Sequence, residues 1–374
     1  MADLDRYRRI HLVGAGGAGM SALGKLLSQQ GHLVSGSDLK PGRALSVLTD
    51  LGVETWIGHR PDAAAGWDLV VSSSAVPAGD SEIMAARSRG VPVWIRPRLL
   101  QKLTTQIPTF GVAGTHGKTT STAMLVAAMR AVGEDPSFVV GGEMVALNTN
   151  AHLGADDLLV LEADEAFGTF QHLDMTGLVV TGIESDHLDH YETRGRLEAA
   201  FIEVADAVEG PVVACLDDPG GSRLAARCAA VGYGTHPDAR WRITDLRHDG
   251  TAVAFTLHGP KREVRVTVPK PGTHIALDAA GVLALLAETG RDPAAAAAGL
   301  ATFAGVKRRF EMRARLGGVT VIDDYAHHPT EVARRPTMAA GTAFGRFFNP
   351  IVTAEPPAWL QVSVLRSPPR TGWL

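Results

Sequence analysis

Apolar runs and amphipathic stretches alternate over the first hundred residues of the chain. Short apolar runs are typical of buried strands, and a 3.6-residue apolar period indicates a helix packed against them. Their alternation predicts a parallel sheet with helices on its faces. The apolar runs occupy residues 10–13, 32–35, 69–71 and 91–94, and one helical face is formed by Met20, Leu23, Leu26 and Leu27.

A second α/β unit is predicted to begin after a linker at residues 104–109. Within residues 240–269 the apolar period changes to two, which predicts β-hairpins. Alanine is the strongest helix former, so the Ala-rich stretches at 275–288 and 293–304 predict helices. The apolar runs of this unit lie at residues 110–113, 158–161, 178–180 and 212–214.

The chain changes character after residue 332. Residues 333–374 hold six prolines and a single acidic residue and show no sustained periodicity, so we predict an irregular tail from about residue 333. Residues 317–374 are too few to bury the core of an α/β domain. The predicted domains are therefore 1–105, 106–316 and a truncated 317–374. We hypothesise a truncation or frameshift near residue 333.

Charge and composition exclude several classes of protein. The 374 residues carry a formal net charge of -4, which gives no general attraction to nucleic acid or to a membrane surface. No apolar run reaches the ~18 residues that span a bilayer. The polar N-terminus shows no signal peptide, so we expect a cytoplasmic protein. Cys215 and Cys228 are expected to be buried, reduced thiols.

The first candidate site is the glycine loop Gly14-x-Gly16-x-x-Gly19, with Asp38 beyond it. Small residues let the backbone approach a diphosphate, and the following helix N-terminus carries partial positive charge. A tight strand-to-helix turn also needs glycine, so a purely structural role remains an alternative. The spacing suggests a dinucleotide without distinguishing it from another diphosphate ligand.

The second candidate site is a phosphate loop between a predicted strand and a predicted helix. It departs from the Walker A pattern at Val112, where that pattern requires glycine. We expect its backbone amides to cradle the phosphates of ATP, Lys118 to neutralise the β and γ oxygens, and Thr119 to ligate Mg²⁺. The predicted ATP-binding residues are Gly114, Thr115, His116, Gly117, Lys118, Thr119 and Thr120.

Two clusters of metal-binding residue types follow buried strands of the same unit. Glu162, Asp164 and Glu165 follow one strand, and carboxylates beside a phosphate loop suit Mg²⁺, so we predict that role for Glu162 above all. His187 lies among the acidic residues of 184–191, and its imidazole is predicted to bind a metal. A solvated acidic loop and a structural histidine are the alternatives.

Two further clusters lie near the end of the second unit. Arg309 belongs to a basic stretch beside an aromatic residue, a composition that can contact phosphate or ribose, although a charged surface turn explains it equally well. Residues 323–331 place two aspartates, a tyrosine and two histidines on a strand-to-helix turn. That density of functional groups favours a site.

Together these motifs resemble the Mur ligases of bacterial cell-wall synthesis. The resemblance implies an α/β protein with an N-terminal Rossmann-like domain, a central P-loop ATPase-like domain and a remnant of a third Rossmann-like domain. It implies that ATP, with Mg²⁺, activates the carboxylate of UDP-N-acetylmuramate as an acyl phosphate that L-alanine attacks. The resemblance rests on residues 14–21, 35–38, 71–75, 114–120, 162–165, 186–189, 308–310 and 323–331, in the family's order.

The resemblance also assigns roles to single residues, and it replaces the dinucleotide with a UDP-sugar. Lys118, Glu162 and His187 are implied as catalytic residues, with Thr119, Glu162 and His187 as metal ligands. Arg309 and Asp324 are implied to contact ATP. The third-domain contacts near the amino acid are implied at Tyr325, His327 and His328. The UDP-sugar-binding residues are implied at Gly14, Gly16, Gly17, Gly19, Asp38, Ser73 and Ser74.

Three departures from the family's pattern fall near the nucleotide. Ala166 and Phe167 stand where the family usually has serine and aspartate, and Gly182 stands where it has asparagine. Asp278 replaces an asparagine thought to contact adenine, and a carboxylate accepts a hydrogen bond but cannot donate one. We therefore expect the base contacts to be altered more than the phosphate contacts.

Two alternative functions remain open. One is a ligase that adds a peptide to the same sugar in cell-wall recycling, and the other is a truncated, inactive protein that binds ATP and the UDP-sugar. A pyridine-nucleotide dehydrogenase leaves the phosphate loop unexplained. Nucleic acid and a membrane are not expected as partners, and the oligomeric state is left open.

Overall fold

The computed structural model describes residues 4–186, 188–316, 319–325 and 362–366. Three sheets organise this part of the chain, with five, ten and three strands. The mixed α/β architecture predicted for the first two units is confirmed. No helix in these ranges has both the length and the apolar character needed to cross a bilayer.

The first sheet is parallel and covered by helices. It is formed by β1 (Arg9–Val13), α1 (Ala18–Gln29), β2 (Leu33–Asp38), α2 (Arg43–Asp50), β3 (Glu54–Ile57), β4 (Leu69–Ser72), α3 (Ser81–Ser88), β5 (Val93–Ile95) and α4 (Arg96–Gln106), with a 3₁₀ turn at Pro61–Gly66. The strand order is β3-β2-β1-β4-β5. The order reverses at β1, and ligands bind such sheets at the carboxyl ends of the strands beside the reversal.

The predicted linker at 104–109 is largely wrong, because residues 104–106 form the last turn of α4. Thr104 and Thr105 each donate a hydroxyl hydrogen bond to the Gln101 carbonyl, at 3.0 and 2.8 Å. Such bonds to the preceding turn let threonine remain in a helix despite its low propensity. Only Ile107 and Pro108 connect the helix to the second sheet.

The second sheet has the order β15-β14-β13-β12-β11-β10-β6-β9-β7-β8. Its strands are β6 (Thr109–Ala113), β7 (Pro136–Met144), β8 (Thr149–His152), β9 (Asp156–Glu162), β10 (Gly177–Val180), β11 (Val212–Cys215), β12 (Val231–Gly234), β13 (Trp241–Asp249), β14 (Ala252–His258) and β15 (Glu263–Val268). All five residues of β6 are buried, and β9 and β10 flank it in parallel. The predicted hairpins are confirmed, because β13, β14 and β15 pair antiparallel.

Helices cover the second sheet and bury the predicted apolar faces. The central helix of this layer is α9, with eleven buried residues. The helices are α5 (Lys118–Ala131), α6 (Leu188–Tyr191), α7 (Arg194–Ala207), α8 (Pro219–Ala225), α9 (Thr273–Glu288) and α10 (Pro293–Ala301), with a 3₁₀ helix at Ala166–His172. Both cysteines are free thiols, and Cys215 is buried while Cys228 is half-buried.

The third sheet consists of β16 (Glu311–Leu316), β17 (Val319–Asp323) and β18 (Val362–Arg366) and is antiparallel. The prediction of an irregular tail from about residue 333 is therefore wrong at β18. Five residues are too few to show a period, and the pairing with β17 supplies the hydrogen bonds that select the strand. The predicted domain boundary at 316/317 separates β16 from β17, which pair with each other, and the domain limits stay predictions.

Candidate active site

The glycine loop lies between β1 and α1, where the strand order of the first sheet reverses. Gly14 has a φ of +80°, in the region that favours glycine, and its N–H donates to the Ser37 carbonyl at 2.9 Å. The Gly16 N–H donates to Asp38 Oδ2 at 2.9 Å, and a Cβ at Gly16 would lie 2.7 Å from that oxygen. Asp38 therefore shapes the loop itself, and a ligand contact for it stays a prediction.

The N-terminus of α1 is open to an anionic ligand. In the described part of the chain, no side chain caps its first turn at Gly17, and unsatisfied N–H groups with the helix dipole favour a diphosphate there. Ser73 borders the loop, with its Cβ 3.0 Å from the Cβ position of Gly14, whereas Ser74 is exposed. These positions suit the predicted UDP-sugar contacts, which stay predictions.

Arg96 is a candidate that the sequence analysis missed. A Cβ at Gly19 would lie 2.3 Å from its Nη1, so the guanidinium lies directly against the start of α1. Its Nη2 is 3.8 Å from Asp164 Oδ2, in the acidic loop of the second unit. The sequence signal that could have identified Arg96 is its position directly after β5, at the edge of the sheet where ligands bind.

The phosphate loop joins β6 to α5 through two glycines with positive φ, Gly114 at +128° and Gly117 at +83°. The loop is held to the next strand end by Thr115. Its N–H donates to the Gly182 carbonyl at 2.9 Å, and its hydroxyl accepts the Glu184 N–H at 2.9 Å. Helix α5 starts at Lys118, so the loop presents a second helix N-terminus to an anion.

Lys118 points back across the phosphate loop. Its Nζ donates to the Gly114 carbonyl and to both oxygens of Glu165, each at 2.8 Å, and lies 3.8 Å from Asp164. Burial by itself lowers the pKa of Lys118, but Glu165 and Asp164 raise it overall, so the ammonium is charged. The Tyr191 hydroxyl donates to the Glu165 carbonyl at 2.6 Å and thereby fixes the backbone of Glu165, the residue that binds Lys118.

Glu162, at the end of β9, has the geometry of a cation ligand. Its Oε1 accepts the Gly141 N–H at 2.6 Å, and its carboxylate is hydrogen-bonded to the Thr119 hydroxyl. Burial raises the pKa of Glu162, so a cation at this point would relieve the cost of its charge. Arg309 approaches the same place, with Nη2 3.5 Å from Thr119 Oγ1. Mg²⁺ prefers oxygen ligands, and the Glu162 carboxylate and the Thr119 hydroxyl supply two of them side by side, so the residues fit that ion.

A cavity of about 240 Å³ opens beside the phosphate loop. Asp278 faces the loop directly, because a Cβ at Gly117 would lie 2.6 Å from its Oδ1. Lys270 and Phe303 were not predicted as site residues. The lining comprises His116, Gly117, Thr120, Thr181, Gly182, Glu184, Cys215, Asp217, Asp218, Pro219, Lys270, Pro271, His274, Ile275, Leu277, Asp278, Phe303, Gly305, Val306, Arg309, Phe310 and Asp324.

The substitution at Gly182 has a local explanation. A Cβ there would lie 3.0 Å from the Asp218 carboxyl carbon. The Asp218 carboxylate accepts the Ile183 N–H at 2.8 Å and caps α8 through the Gly221 N–H at 2.7 Å. A side chain at position 182 would therefore displace a helix cap, which glycine leaves in place.

A strained turn carries Arg309 to the phosphate loop. Arg308 and Phe310, on either side of it, have φ of +62° and +46°, which costs energy for residues with a side chain. The preceding segment is fixed to β7, because the Lys307 N–H donates to the Glu143 carbonyl at 2.9 Å.

The residues predicted beyond β17 meet this turn. The Tyr325 N–H donates to the Arg308 carbonyl at 2.8 Å, and the Arg308 guanidinium lies 4.6 Å from the Tyr325 ring centre. Asp324 is buried at the cavity wall. His187, His327 and His328 lie outside the described residues, so their predicted roles stay predictions.

Comparison with known proteins identifies the family of the first two units. The family model for the Mur ligase catalytic domain matches residues 9–107, and the model for the Mur ligase middle domain matches residues 112–286. The chain is 42% identical over 339 residues to a UDP-N-acetylmuramate–L-alanine ligase of Clavibacter michiganensis subsp. michiganensis, covering 90% of this chain and 71% of that protein. It is 43% identical to the enzyme of the same name from Kineococcus radiotolerans, covering 90% and 74%.

Solved structures show the same fold. The UDP-N-acetylmuramate–alanine ligase of Thermotoga maritima superposes with a TM-score of 0.81 at 29% identity, covering 89% of this chain and 77% of that one. A murein peptide ligase from Psychrobacter arcticus gives 0.73 at 26%, covering 87% and 74%. With two family domains matched in order and relatives above 40% identity along most of its length, the chain belongs to the Mur ligase family.

Proposed function

We propose that this chain is an ATP-dependent ligase that joins L-alanine to UDP-N-acetylmuramate in peptidoglycan synthesis. The observation that carries the proposal is the spacing of two anion-binding helix N-termini. Arg96 lies against the start of α1 and 3.8 Å from Asp164, which in turn lies 3.8 Å from Lys118 in the phosphate loop. A nucleotide sugar on the first loop would thus extend towards ATP on the second. Relatives at 42–43% identity named for this reaction support the choice of substrates.

The reaction joins two groups that do not react unaided. A carboxylate is a poor acyl donor, so one of its oxygens takes the γ-phosphoryl group of ATP and ADP leaves. The amine of L-alanine then attacks the acyl carbon, phosphate leaves with that oxygen, and the amine loses a proton. Lys118 would neutralise charge on the transferred phosphoryl group, which requires it to share its contacts with Glu165.

Mg²⁺ would be held by Thr119 and Glu162, with His187 as a further ligand of a second metal position. When bound, the ion would neutralise phosphate oxygens as the phosphoryl group moves. Glu162 is pre-oriented for this role by the Gly141 N–H, which donates to one carboxylate oxygen. The arrangement leaves the carboxylate and the hydroxyl side by side.

We assign the remaining contacts by position. ATP would occupy the cavity beside Asp278, with Arg309 near its phosphates and Asp324 at the wall. The UDP-sugar would lie along the glycine loop, and Tyr325 would face the amino acid side. We further propose domains at 1–105, 106–316 and 317–374, and a cytoplasmic location.

A second candidate is the addition of a peptide to the same sugar. The likeness to the murein peptide ligase of Psychrobacter arcticus, at 26% identity, is the observation in its favour. The higher identity to L-alanine ligases makes alanine the first choice.

The test is a phosphate-release assay of the 374-residue chain with Mg-ATP, UDP-N-acetylmuramate and L-alanine, with each omitted in turn. We expect release only with all three, and a product that mass spectrometry identifies as UDP-N-acetylmuramoyl-L-alanine. Release with a cell-wall tripeptide but not with alanine would favour the second candidate. Binding of both nucleotides by calorimetry without phosphate release would refute the enzyme and support an inactive binding protein.

A further inference from the structure

Helix α1 follows the glycine loop and is called the glycine-loop helix below. It is contacted by the strand pair β7 and β8 of the ten-stranded sheet. Asn150, on β8, donates its side-chain N–H to the Ala18 carbonyl in the first turn of α1, at 3.1 Å. Its Oδ1 accepts from Lys25 Nζ, two turns further along the same helix, at 2.7 Å. Asn150 is 7% exposed and Lys25 is 8% exposed. One buried amide thus contacts two points of the helix whose N-terminus would face the diphosphate.

The contact is specific rather than a general packing of surfaces. A buried lysine costs free energy unless its ammonium is hydrogen-bonded, and burial lowers the pKa of Lys25. Asn150 Oδ1 accepts a hydrogen bond from that ammonium, and the side-chain N–H of Asn150 donates to the backbone of α1 at Ala18. The Thr149 hydroxyl, 3.5 Å from Lys25 Nζ, is a weaker partner. Such paired polar contacts fix the register of two elements, because any slip breaks both bonds.

The same strand pair also reaches the ATP side. On β7, the Gly141 N–H donates to Glu162, and the Glu143 carboxylate forms ion pairs with Arg43 on α2 and Lys307 before the Arg309 turn. The strands β7 and β8 therefore contact the glycine-loop helix, the predicted magnesium ligand and the segment that carries Arg309. A displacement of α1 along this surface would change the distance between the two anion-binding loops.

We propose that Asn150 is a positioning residue for the nucleotide sugar. It sets the N-terminus of α1 against β8, and thereby sets where the diphosphate of the UDP-sugar lies relative to the phosphate loop. This inference rests on the proposed function, because it takes UDP-N-acetylmuramate as the ligand of the glycine loop. It adds a residue of the second unit to the binding of a ligand that the first unit contacts.

The experiment measures the Kd of UDP-N-acetylmuramate and of Mg-ATP by calorimetry in the full chain and three variants. Asn150→Ala removes the bonds to Ala18 and from Lys25, and should raise the Kd of the sugar nucleotide about tenfold, with the Kd of Mg-ATP within twofold. Lys25→Met keeps the Asn150 contact with Ala18 and should change the sugar-nucleotide Kd less than threefold. Gln29→Ala is the matched control, because it removes the Leu153 N–H bond to the far end of α1, 2.8 Å long.

The outcomes separate the possible failures. If Asn150→Ala binds the sugar nucleotide within twofold of the unchanged chain, or if Gln29→Ala weakens it equally, the positioning role is wrong. If Asn150→Ala weakens both ligands together, the residue acts on the fold in general and the inference is again wrong. If the unchanged chain does not bind UDP-N-acetylmuramate but binds Mg-ATP, the proposed function fails instead.

Discussion

Replacing Glu82 by glutamine tests the electrostatics of the first unit. The Glu82 carboxylate is fully buried and accepts hydrogen bonds from Trp56 Nε1 at 2.9 Å, the Arg60 N–H at 2.8 Å and the Ser37 hydroxyl at 2.5 Å. His11 Nε2 lies 3.4 Å from the same carboxylate. Burial alone would raise the pKa of Glu82, but the bonds from His11, Ser37 and Arg60 lower it from 4.5 to about 2.

The magnitude follows from that shift. A group whose pKa is lower in the folded state stabilises the fold above its unfolded pKa, and the stabilisation is lost as pH falls through the folded value. A shift of roughly 2.5 units corresponds to about 3 kcal/mol, of which about 2 kcal/mol is lost between pH 5 and pH 3. Burial lowers the pKa of His11, so its protonation destabilises the fold in the same direction from about pH 6.5 downward.

The assay is urea unfolding followed by tryptophan fluorescence at pH 7, 5 and 3. We expect Glu82→Gln to be about 3 kcal/mol less stable than the unchanged chain at pH 7, and to lose about 2 kcal/mol less between pH 5 and pH 3. Glu54→Gln is the control, because it removes the same charge from an exposed position of β3. If the unchanged chain and Glu82→Gln lose equal stability over that interval, the low pKa assigned to Glu82 is wrong.

Two predictions concern the ATP side. Lys118→Ala should reduce phosphate release at least ~100-fold, and near-normal release would contradict the role of Lys118. The fold should stay intact, because Glu165 can take up a proton when Lys118 is removed. Lys270 lies at the cavity wall, burial lowers its pKa, and within the described ranges it forms no hydrogen bond or ion pair. Lys270→Met should therefore raise the KM for ATP about fivefold, while Lys261→Met, in an exposed turn, should not; equal KM values in the two variants would refute the contact.

Much of the fold could be predicted because its central strands are parallel and buried on both faces. Such strands are continuous apolar runs, so β1, β6, β9, β10 and β11 could be recognised from composition alone. Their order in the sheets could not be predicted, because pairing depends on contacts between distant residues. Short edge strands such as β3 and β18 have too few residues to show a period.

β7 was not predicted for a different reason. Two glycines, Gly141 and Gly142, interrupt its apolar pattern, and glycine is depleted in strands. In the structure a Cβ at Gly141 would lie 2.7 Å from the Glu162 carboxylate, and one at Gly142 would lie 2.6 Å from Val306. Gly141 leaves room for the predicted magnesium ligand and Gly142 leaves room for the Val306 side chain, so these close approaches obscured the local pattern.

The candidate site likewise contains residues that could be predicted from the sequence and residues that could not. Gly114 to Thr120 could be recognised because a phosphate loop needs small residues and a lysine in a fixed sequence order. Arg96 and Lys270 are single charged residues outside any motif, and the folding of each sheet brings Arg96 to the glycine loop and Lys270 to the cavity. Their roles depend on tertiary distance, which sequence order does not carry.

The turn at Arg308 and Phe310 has a mechanical consequence. The segment before it is bridged to β7 through Val306, and β16 begins directly after it at Glu311, so the turn joins the ten-stranded sheet to the third sheet. A rotation of β16 and β17 about this turn would move Asp324, which follows β17, relative to the phosphate loop. The two positive φ angles cost roughly 1 kcal/mol or more each. The contacts of Arg308 with Tyr325 would oppose such a rotation, because they tie the turn to the residue that follows β17.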